Sequence, residues 1–310
     1  MICDAHVHFF SPGFFDALGA QKGLAPENRV GEVAEALEWE APPSVTALAA
    51  RWVAALDGHG VARAALIGSV PGDEASVAAA IAAHPDRFVG FFMLDPTRDD
   101  ALDRIAWATA HGLRGICLFP AMHRYPLASP DVARVFDLAA AAPGTAVFVH
   151  CGLLSVGARK KLGLPSPFEM RFGNPLDLQG VVLAHPRVPV IVPHFGAGML
   201  REALMLADTC PNVHLDTSSS NAWMRYTPGL TLADVFKAAL GVVGAERLLF
   251  GTDSSFFPRG WQVGLLATQV AALDAAGATP EQSRLVLGLN FSRLFPVLAP
   301  SSSLGAPTAL

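Results

Sequence analysis

The sequence predicts an α/β protein whose fold is a (β/α)8 TIM barrel. Three observations support this prediction: eight short apolar runs recur at fairly even spacing, Ala-rich stretches with helical periodicity separate them, and the chain has 310 residues. The runs are ICDAHVH at 2–8, ARAALIG at 62–68, RFVGFFML at 87–94, LRGICLF at 113–119, TAVFVH at 145–150, VPVIVPH at 188–194, NVHLDTS at 212–218 and RLLFGTD at 247–253. A closed parallel sheet covered by helices requires near-continuous apolar strands of this kind.

The stretches between the runs have the apolar spacing of amphipathic helices, and several follow a Ser, Asp or Pro start signal. They include SVTALAARWVAALDGHG at 44–60, PDVARVFDLAAAA at 130–142, MLREALMLADTC at 199–210 and LADVFKAALGVV at 232–243. A doubly wound open sheet is the alternative architecture. Its Gly-rich dinucleotide fingerprint is missing after the first strand, so the barrel is favoured.

The domain organisation is predicted to be one barrel domain over residues 1–298. The Ser/Pro/Gly/Ala-rich residues 299–310 have the composition of a poorly ordered tail. The segment 11–43 is too long for a plain loop between a strand and a helix, and it carries the apolar pieces FF and LEWE. We expect this lid-like insertion after strand one to fold over the mouth of the barrel.

The charge pattern favours a small-molecule substrate as the partner. The formal net charge is -5, and Lys and Arg are scattered without forming a basic stripe. Nucleic acids and anionic membranes are therefore not expected partners.

The cysteines and the apolar runs predict a reduced, cytoplasmic enzyme. Cys3, Cys117, Cys151 and Cys210 lie far apart and form no C-x-x-C pair, so no disulfide framework is indicated. The chain enters its first strand without a basic leader, and no later apolar run approaches about 18 residues without a charge, Pro or His.

The stretch DAHVHFF at 4–10 carries two histidines separated by one residue. Alternate side chains of a strand point to the same face, so Asp4, His6 and His8 would share one face and the residues between them the other. Two imidazoles on one face make half of a metal site, although H-x-H also occurs by chance.

Polar residues end four of the predicted strands, at the rim where barrel enzymes place their chemistry. Strand one ends in His6 and His8, strand five in His150, strand six in His194 and strand eight in Asp253. These strands are neighbours or next neighbours once the barrel closes. Nitrogen and oxygen ligands of this kind suit Zn²⁺, Fe²⁺ or Mn²⁺.

These motifs, in this order, resemble the amidohydrolase superfamily over nearly the whole chain. The matching elements are DAHVHFF, VHCG on strand five, VPHFGAG on strand six, LLFGTDSSFFP on strand eight and the closing LGLNFSRLF. Together they look like the amidohydrolase 2 branch, which contains aminocarboxymuconate semialdehyde decarboxylase, related aromatic-acid decarboxylases, and hydrolases of lactones and C–C bonds. This resemblance implies that His6, His8, His150 and Asp253 hold one divalent metal ion, while His194 stands beside it as proton carrier. Members of the branch often form dimers, so a homodimer is compatible with the resemblance.

One departure from the superfamily pattern limits the site to a single ion. Many members with two metals carry a Lys on strand four, but the run here is RGICLFP, with Cys117 and no Lys. We expect Cys117 to pack in the core. The expected cofactor is one Zn²⁺ ion, with Mn²⁺ or Fe²⁺ as alternatives.

Three further residues are predicted to bind substrate from rim loops: His123 and Arg124 in FPAMHRY after strand four, and Arg259 after strand eight. The run ARKK at 158–161 could attract an anion, but a solvated face is the expected reading. His214 in NVHLDTS is expected to be structural, as are four histidines at helix ends, namely His59, His84, His111 and His185.

The predicted activity is that of a metal-dependent hydrolase acting on a small carboxylated or carbonyl-containing substrate through a metal-activated water. Asp253 and His194 would take the proton of that water and supply one to the leaving group. The alternative is a metal-dependent, non-oxidative decarboxylase of a small unsaturated or aromatic acid, which the same residues would serve. A barrel that only binds a ligand is a third alternative, disfavoured because binding requires no proton carrier.

Overall fold

The computed structural model describes residues 1–218 and 221–297, and it confirms the (β/α)8 TIM barrel. Eight parallel strands pair in chain order, and each predicted apolar run overlaps one of them. The strands are β1 Ile2–Phe9, β2 Val61–Gly68, β3 Phe88–Leu94, β4 Gly115–Leu118, β5 Ala146–Val149, β6 Val190–Val192, β7 Val213–Asp216 and β8 Leu248–Leu249. Their carboxyl ends therefore meet at one rim.

Helices alternate with the strands and cover the outside of the barrel. They are α1 Pro12–Gln21, α2 Arg29–Leu37, α3 Val45–Asp57, α4 Glu74–Ala83, α5 Ala101–Ala110, α6 Pro120–His123, α7 Pro130–Ala141, α8 Gly157–Lys161, α9 Gln179–Ala184, α10 Leu200–Thr209, α11 Leu232–Val242, α12 Val263–Ala275, α13 Pro280–Arg284 and α14 Asn290–Leu294. Ser44, Ser129 and Thr231 cap α3, α7 and α11 by accepting hydrogen bonds from backbone N–H groups of the first turn. Such caps contribute about 1 kcal/mol each and explain where these helices begin.

The barrel closes between β1 and the segment that follows β8. The backbone N–H of Ala5 donates to Phe250 O at 2.8 Å, and that of Asp253 donates to His6 O at 2.9 Å. The N–H of His8 continues the ladder by donating to the carbonyl oxygen of Ser254, at 2.7 Å. This seam places Asp253 beside both histidines of the first strand.

An apolar cluster fills the barrel interior. It contains Cys3, Ala5, Ala65, Ile67, Val89, Phe91, Met93, Cys117, Phe119, Ala146, Phe148, Ile191 and Leu249, with Phe291 and Phe295 from the C-terminal end of the barrel sequence. Cys117 is fully buried in this cluster, which agrees with the prediction that it packs in the core. Each large side chain buried in this way contributes about 1.5–3 kcal/mol to the free energy of unfolding.

Strand β1 does not keep the strict alternation that the sequence predicts. Its register against β2 shifts between Asp4 and Val7, as at a β-bulge. Ala5 consequently lies in the interior cluster, whereas Val7 packs in the outer cluster between strands and helices. The prediction that the residues between Asp4, His6 and His8 share one face is therefore wrong, because pattern alone does not reveal a bulge.

Asp4 faces the outer side of the barrel, away from the two histidines. Its carboxylate accepts hydrogen bonds from Thr252 Oγ1 at 2.6 Å and from Trp261 Nε1 at 2.7 Å. Burial raises the pKa of Asp4 to about 6, against the opposing effect of these hydrogen bonds. Asp4 thus ties β1 to the loop after β8 and does not enter the rim site.

The segment 11–43 forms helices α1 and α2, which pack on α8 through a separate apolar cluster. Phe14, Leu18 and Trp39 from this region line the cavity described below. The segment therefore supplies one wall of the barrel mouth. That this segment covers the mouth as a lid stays a prediction.

Two further predictions concern the chain as a whole. The predicted tail, 299–310, lies outside the residues that the structure describes. Across residues 1–218 and 221–297, we found no helix with both the length and the hydropathy needed to cross a membrane.

His214 on β7 is expected to make the protein sensitive to acid. Burial lowers its pKa from 6.5 to about 4, so the folded state binds a proton less readily than the unfolded chain. The free energy of unfolding should therefore fall as the pH drops below about 6.5, with a share from His214 of about 2 kcal/mol by pH 5. Urea denaturation of wild type and His214→Gln at pH 7.5 and 5 measures this share as the difference between the two losses. Exposed His111→Gln is the control, and an equal loss in wild type and His214→Gln would contradict the prediction.

Candidate metal centre and active site

A cavity of about 1160 Å³ opens at the carboxyl ends of the strands. Four of the five residues predicted at this rim line it: His8, His150, His194 and Asp253. Most of the remaining wall is apolar. It includes Phe10, Phe14, Trp39, Met93, Phe119, Met122, Phe168, Trp223 and Phe256. A mostly apolar cavity with a few converging polar groups is typical of a site for a small molecule.

Three side-chain atoms converge at the edge of this cavity. His6 Nε2 lies 3.4 Å from His8 Nε2 and 3.6 Å from Asp253 Oδ1. His8 Nε2 lies 3.1 Å from the same carboxylate oxygen. The seam between β1 and β8 thus produces a compact group of two imidazoles and one carboxylate.

The other nitrogen of each imidazole already has a hydrogen-bond partner. His6 Nδ1 lies 2.7 Å from Asp216 Oδ2, and a carboxylate accepts, so Nδ1 donates. His8 Nδ1 lies 2.7 Å from Ser69 Oγ, whose own hydroxyl donates to Ile67 O at 3.0 Å. His8 Nδ1 therefore also donates. In the neutral rings both Nε2 atoms carry lone pairs directed at the shared space.

Two nitrogen lone pairs and a carboxylate oxygen that face one another form a site that a cation would stabilise. A tetrahedral zinc ion with ligands at about 2.0–2.1 Å holds its ligand atoms about 3.3–3.4 Å apart. The observed separations of 3.1, 3.4 and 3.6 Å match this spacing. Burial lowers the pKa of His6, but Asp216 and Asp253 outweigh this effect and raise it above its usual value. The surroundings of His6 thus favour positive charge, and the residues present fit one divalent metal ion.

Asp253 is held in an unusual backbone conformation, with φ of 58°. Non-glycine residues in the left-handed region are uncommon, and they concentrate at functional sites. Burial raises the pKa of Asp253, but its contact with His8 and the neighbouring imidazoles of His6 and His194 outweigh burial and lower this pKa to about 2. Asp253 is therefore a carboxylate throughout the neutral range.

His150 lies next to the three converging atoms without belonging to that group. Its ring stacks on Phe119 with centroids 5.4 Å apart, and it lies 5.2 Å from the ring of His194. Burial, His194 and His6 hold the pKa of His150 well below its usual value, so the ring is neutral. Its buried Nδ1 has no hydrogen-bond partner among the residues that the structure describes. Its role as a fourth metal ligand stays a prediction.

His194 is buried between the other rim histidines, with its ring 4.9 Å from that of His6. Its Nδ1 lies 3.2 Å from Ser218 O and 2.9 Å from Ser218 Oγ. Because the carbonyl only accepts, Nδ1 donates and Nε2 keeps its lone pair. Burial and the charge of His6 lower the pKa of His194, so the ring is a neutral base in the neutral range.

A run of left-handed residues follows β6 and fixes the position of His194. His194, Phe195 and Ala197 have φ of 55°, 52° and 45°, and the glycines between and after them also have positive φ. Gly152 of VHCG packs against this turn, and a Cβ at Gly152 would collide with the carbonyl oxygens of Gly196 and Ala197. The glycines of VHCG and FGAG thus allow the loops after β5 and β6 to approach closely.

Two residues of the site were not singled out from the sequence. Asp216 ends β7 and contacts His6, and Ser218 bridges His6 and His194 through its hydroxyl, at 3.0 Å and 2.9 Å. The sequence contains a pattern that could have identified Asp216, since this residue ends an apolar run as Asp253 does. This pattern is weaker than the one at Asp253, because His214 and Asp216 are also typical of alternate residues on one face of an ordinary strand.

The structure separates the three residues predicted to bind substrate. His123 and Arg259 line the cavity, and Arg259 also donates to Ser255 Oγ at 2.7 Å. Arg124 is exposed, has φ of 60° at the end of α6, and is absent from the cavity lining formed by residues 1–218 and 221–297. The position of Arg124 gives no support to a role in substrate binding.

The run ARKK lies at the cavity, and its residues Lys160 and Lys161 are also exposed, as expected of a solvated face. Arg159, Lys160 and Lys161 all belong to its lining, together with Arg259. Asp253 is the single acidic side chain among the lining residues in the described part of the chain. Lys161 is paired with Glu38 at 2.9 Å, but the charges of Arg159, Lys160 and Arg259 still make the cavity mouth basic, which favours an anionic ligand.

Four aromatic rings form a continuous parallel stack along one wall. Phe14 stacks on Phe10 with centroids 3.9 Å apart, Phe10 on Trp39 at 5.3 Å, and Trp39 on Phe256 at 4.3 Å. The guanidinium of Arg259 lies 4.4 Å from the centre of the Phe256 ring. This aromatic stack joins the 11–43 region to the loop after β8.

Comparison with solved structures shows the same fold. A probable 2-pyrone-4,6-dicarboxylic acid hydrolase from Acinetobacter baumannii, solved with citric acid bound, is 16% identical with a TM-score of 0.63, covering 95% of this chain and 98% of its own. An amidohydrolase from Burkholderia multivorans with bound zinc is 15% identical with a TM-score of 0.62, covering 96% and 100%. A TIM-barrel protein from Bordetella bronchiseptica is 20% identical with a TM-score of 0.60, covering 94% and 97%.

Sequence comparison extends the likeness to the family level. Protein fluG from Emericella nidulans is 32% identical over 85 residues, which is 27% of this chain and only 10% of that protein. The model of the Amidohydro_2 family, described as amidohydrolase, matches residues 3–297 and so includes every rim residue discussed above. The chain therefore belongs to the amidohydrolase 2 family.

Proposed function

We propose that this protein is a metal-dependent hydrolase of a small carboxylated or carbonyl-containing molecule. The observation that carries the proposal is the convergence of His6 Nε2, His8 Nε2 and Asp253 Oδ1 within 3.1–3.6 Å, with both histidine Nδ1 atoms engaged elsewhere. These three residues would hold one divalent ion, for which Zn²⁺ is the first candidate, and His150 is the proposed fourth ligand. The zinc-bound relative from Burkholderia multivorans is consistent with this choice.

A bound divalent ion would supply Lewis acidity, lowering the pKa of water toward about 7 and polarising a carbonyl group. The chain's own residues would handle the protons. Asp253 is ionised, and its carboxylate would accept the proton of the attacking water. His194 is neutral with a lone pair on Nε2, so it would receive that proton from Asp253 at Nε2 and deliver it to the leaving group.

The substrate is proposed to carry a carboxylate. The basic mouth of the cavity favours an anion, and citric acid in the relative from Acinetobacter baumannii is itself a carboxylated molecule. His123 and Arg259 are the proposed contacts for that group. The apolar wall would hold the rest of the molecule.

Hydrolysis is distinguished from decarboxylation by one experiment. The protein is purified without chelators, its metal content is measured, and it is then incubated with lactones, amides and aromatic carboxylic acids while released CO2 is monitored. Hydrolysis without CO2 supports the proposal, whereas CO2 release without hydrolysis would assign the decarboxylase alternative. Failure to bind Zn²⁺, Mn²⁺ or Fe²⁺ would overturn the metal-dependent mechanism.

Arg259→Met is expected to raise KM for a carboxylated substrate by about 10-fold while kcat changes little. The loss corresponds to one charge-assisted hydrogen bond that acts on substrate and transition state alike. Steady-state kinetics with the substrate found in the screen provide the measurement. Arg124→Met removes the same charge outside the cavity lining and is the matched control. A rise in KM in Arg124→Met alone would instead support the role predicted for Arg124 from the sequence.

A further inference from the structure

Asp216 is a buried carboxylate that contacts the site without reaching the cavity. It is fully buried at the end of β7, and both of its oxygens are engaged. Oδ2 accepts from His6 Nδ1 at 2.7 Å, and Oδ1 accepts from the backbone N–H of Ser218 at 2.6 Å. The second bond fixes the carboxylate, so that its orientation toward His6 is set by the backbone.

The charge of Asp216 requires compensation, because an isolated carboxylate is costly to bury. Within the described residues, His6 is its only charged or chargeable partner, and no Lys or Arg pairs with it. Asp216 and Asp253 flank the ring of His6 from its two nitrogens. Their two negative charges balance one divalent cation held between neutral histidines.

Gly251, which follows β8, leaves room for the contact between Asp216 and His6. A Cβ at Gly251 would lie 2.8 Å from Asp216 Oδ1 and 2.9 Å from the Cβ of His6. Gly251 belongs to the FGTD motif that ends in Asp253. The glycine is therefore the residue that lets β7, β8 and β1 approach closely enough for Asp216 to reach His6.

We propose that Asp216 is a positioning residue for the metal site, and this inference rests on the metal-dependent function proposed above. By accepting from His6 Nδ1, it keeps the proton on that nitrogen and directs Nε2 to the ion. It also makes the imidazole a stronger ligand, as carboxylates behind metal-binding histidines do. His8 has only a neutral hydroxyl, Ser69, in the equivalent place, so the two histidines are supported unequally.

The test is Asp216→Asn, which keeps the shape of the side chain and removes its charge. An amide can present its NH2 group to His6 Nδ1, which would move the ring proton to Nε2, where it blocks coordination. Zn²⁺ affinity, measured by competition with a chromogenic chelator, is expected to fall about 10- to 100-fold. The melting temperature of the zinc-free protein is measured alongside. It should stay close to the wild-type value, because the substitution keeps the shape of the side chain.

Asp137→Asn is the matched control, because Asp137 pairs with His185 on the surface, at 3.0 Å. This variant should keep wild-type Zn²⁺ affinity. Equal affinity in wild type and Asp216→Asn would overturn the positioning role. Absence of Zn²⁺ binding in wild type would instead refute the metal site itself, so the two failures are distinguishable.

A measurement on the wild type keeps the inference testable if Asp216→Asn does not fold. Nitrogen chemical shifts of the zinc-loaded protein report which ring nitrogen of His6 carries the proton. We expect a protonated Nδ1 and a coordinated Nε2. Coordination through Nδ1 would overturn the inference.

Discussion

Purified with both first-strand histidines replaced, the variant His6→Ala with His8→Ala is expected to contain no bound zinc and to show no hydrolysis. The substitutions remove two of the three converging atoms and leave only the oxygen of Asp253. Structural zinc sites with four ligands are worth about 10–16 kcal/mol, so two ligands account for at least a 10³-fold change in affinity. Metal content after dialysis against zinc-containing buffer without chelator measures the loss directly.

The double variant also removes a buried side chain, since His6 is only 2% exposed, so its folding must be checked. His8→Gln is the gentler companion, because the His8 side chain is 20% exposed and glutamine keeps most of its volume. Exposed His111→Ala serves as the control for a histidine lost elsewhere. Zinc bound at the wild-type level in the double variant would show that the ion binds elsewhere.

His194→Asn is expected to keep its metal and fold but to lose about 10²- to 10⁴-fold in kcat, the usual range for a general acid-base group. Three features support this expectation. His194 lies outside the group of three converging atoms, its Nδ1 is bonded to Ser218, and its φ of 55° suits asparagine better than most residues. The substitution should therefore change the chemistry with little strain in the backbone.

The pH profile separates a proton carrier from a structural residue. A base with a lowered pKa loses its proton below the usual histidine range, so wild-type activity should rise through that acid limb. His194→Asn should lack the limb. Loss of zinc from this variant would make His194 a ligand, and full activity with zinc retained would leave Asp253 as the only proton acceptor of the scheme.

The barrel and the rim histidines could be predicted because they depend on local patterns. Each strand is an apolar run, and His150, His194 and Asp253 end such runs, so the rule that strand ends meet at one rim was enough to group them. The family resemblance then separated ligands from the proton carrier.

The remaining features depend on contacts between distant parts of the chain. The bulge in β1 arises from its pairing with β2 and with the segment after β8, so alternation within DAHVHFF misplaced Asp4. The exposure of Arg124 follows from a left-handed turn at the end of α6, which sequence pattern does not specify. The place of ARKK at the cavity follows from the packing of α8 against α1 and α2.

The seam between β1 and β8 has a consequence for stability. His6 and Asp253 come from opposite ends of the barrel sequence. One metal ion bound to both residues would act as a reversible cross-link over almost the whole polypeptide. An ion that binds only the folded state adds RT ln(1 + [L]/Kd) to the free energy of unfolding, where [L] is the concentration of the free ion. This is about 4 kcal/mol when that concentration is 1,000 times Kd. Closure of the barrel and binding of the ion are therefore coupled equilibria. Conditions that separate the first strand from the last also release the ion, and the bound ion in turn holds these two strands together.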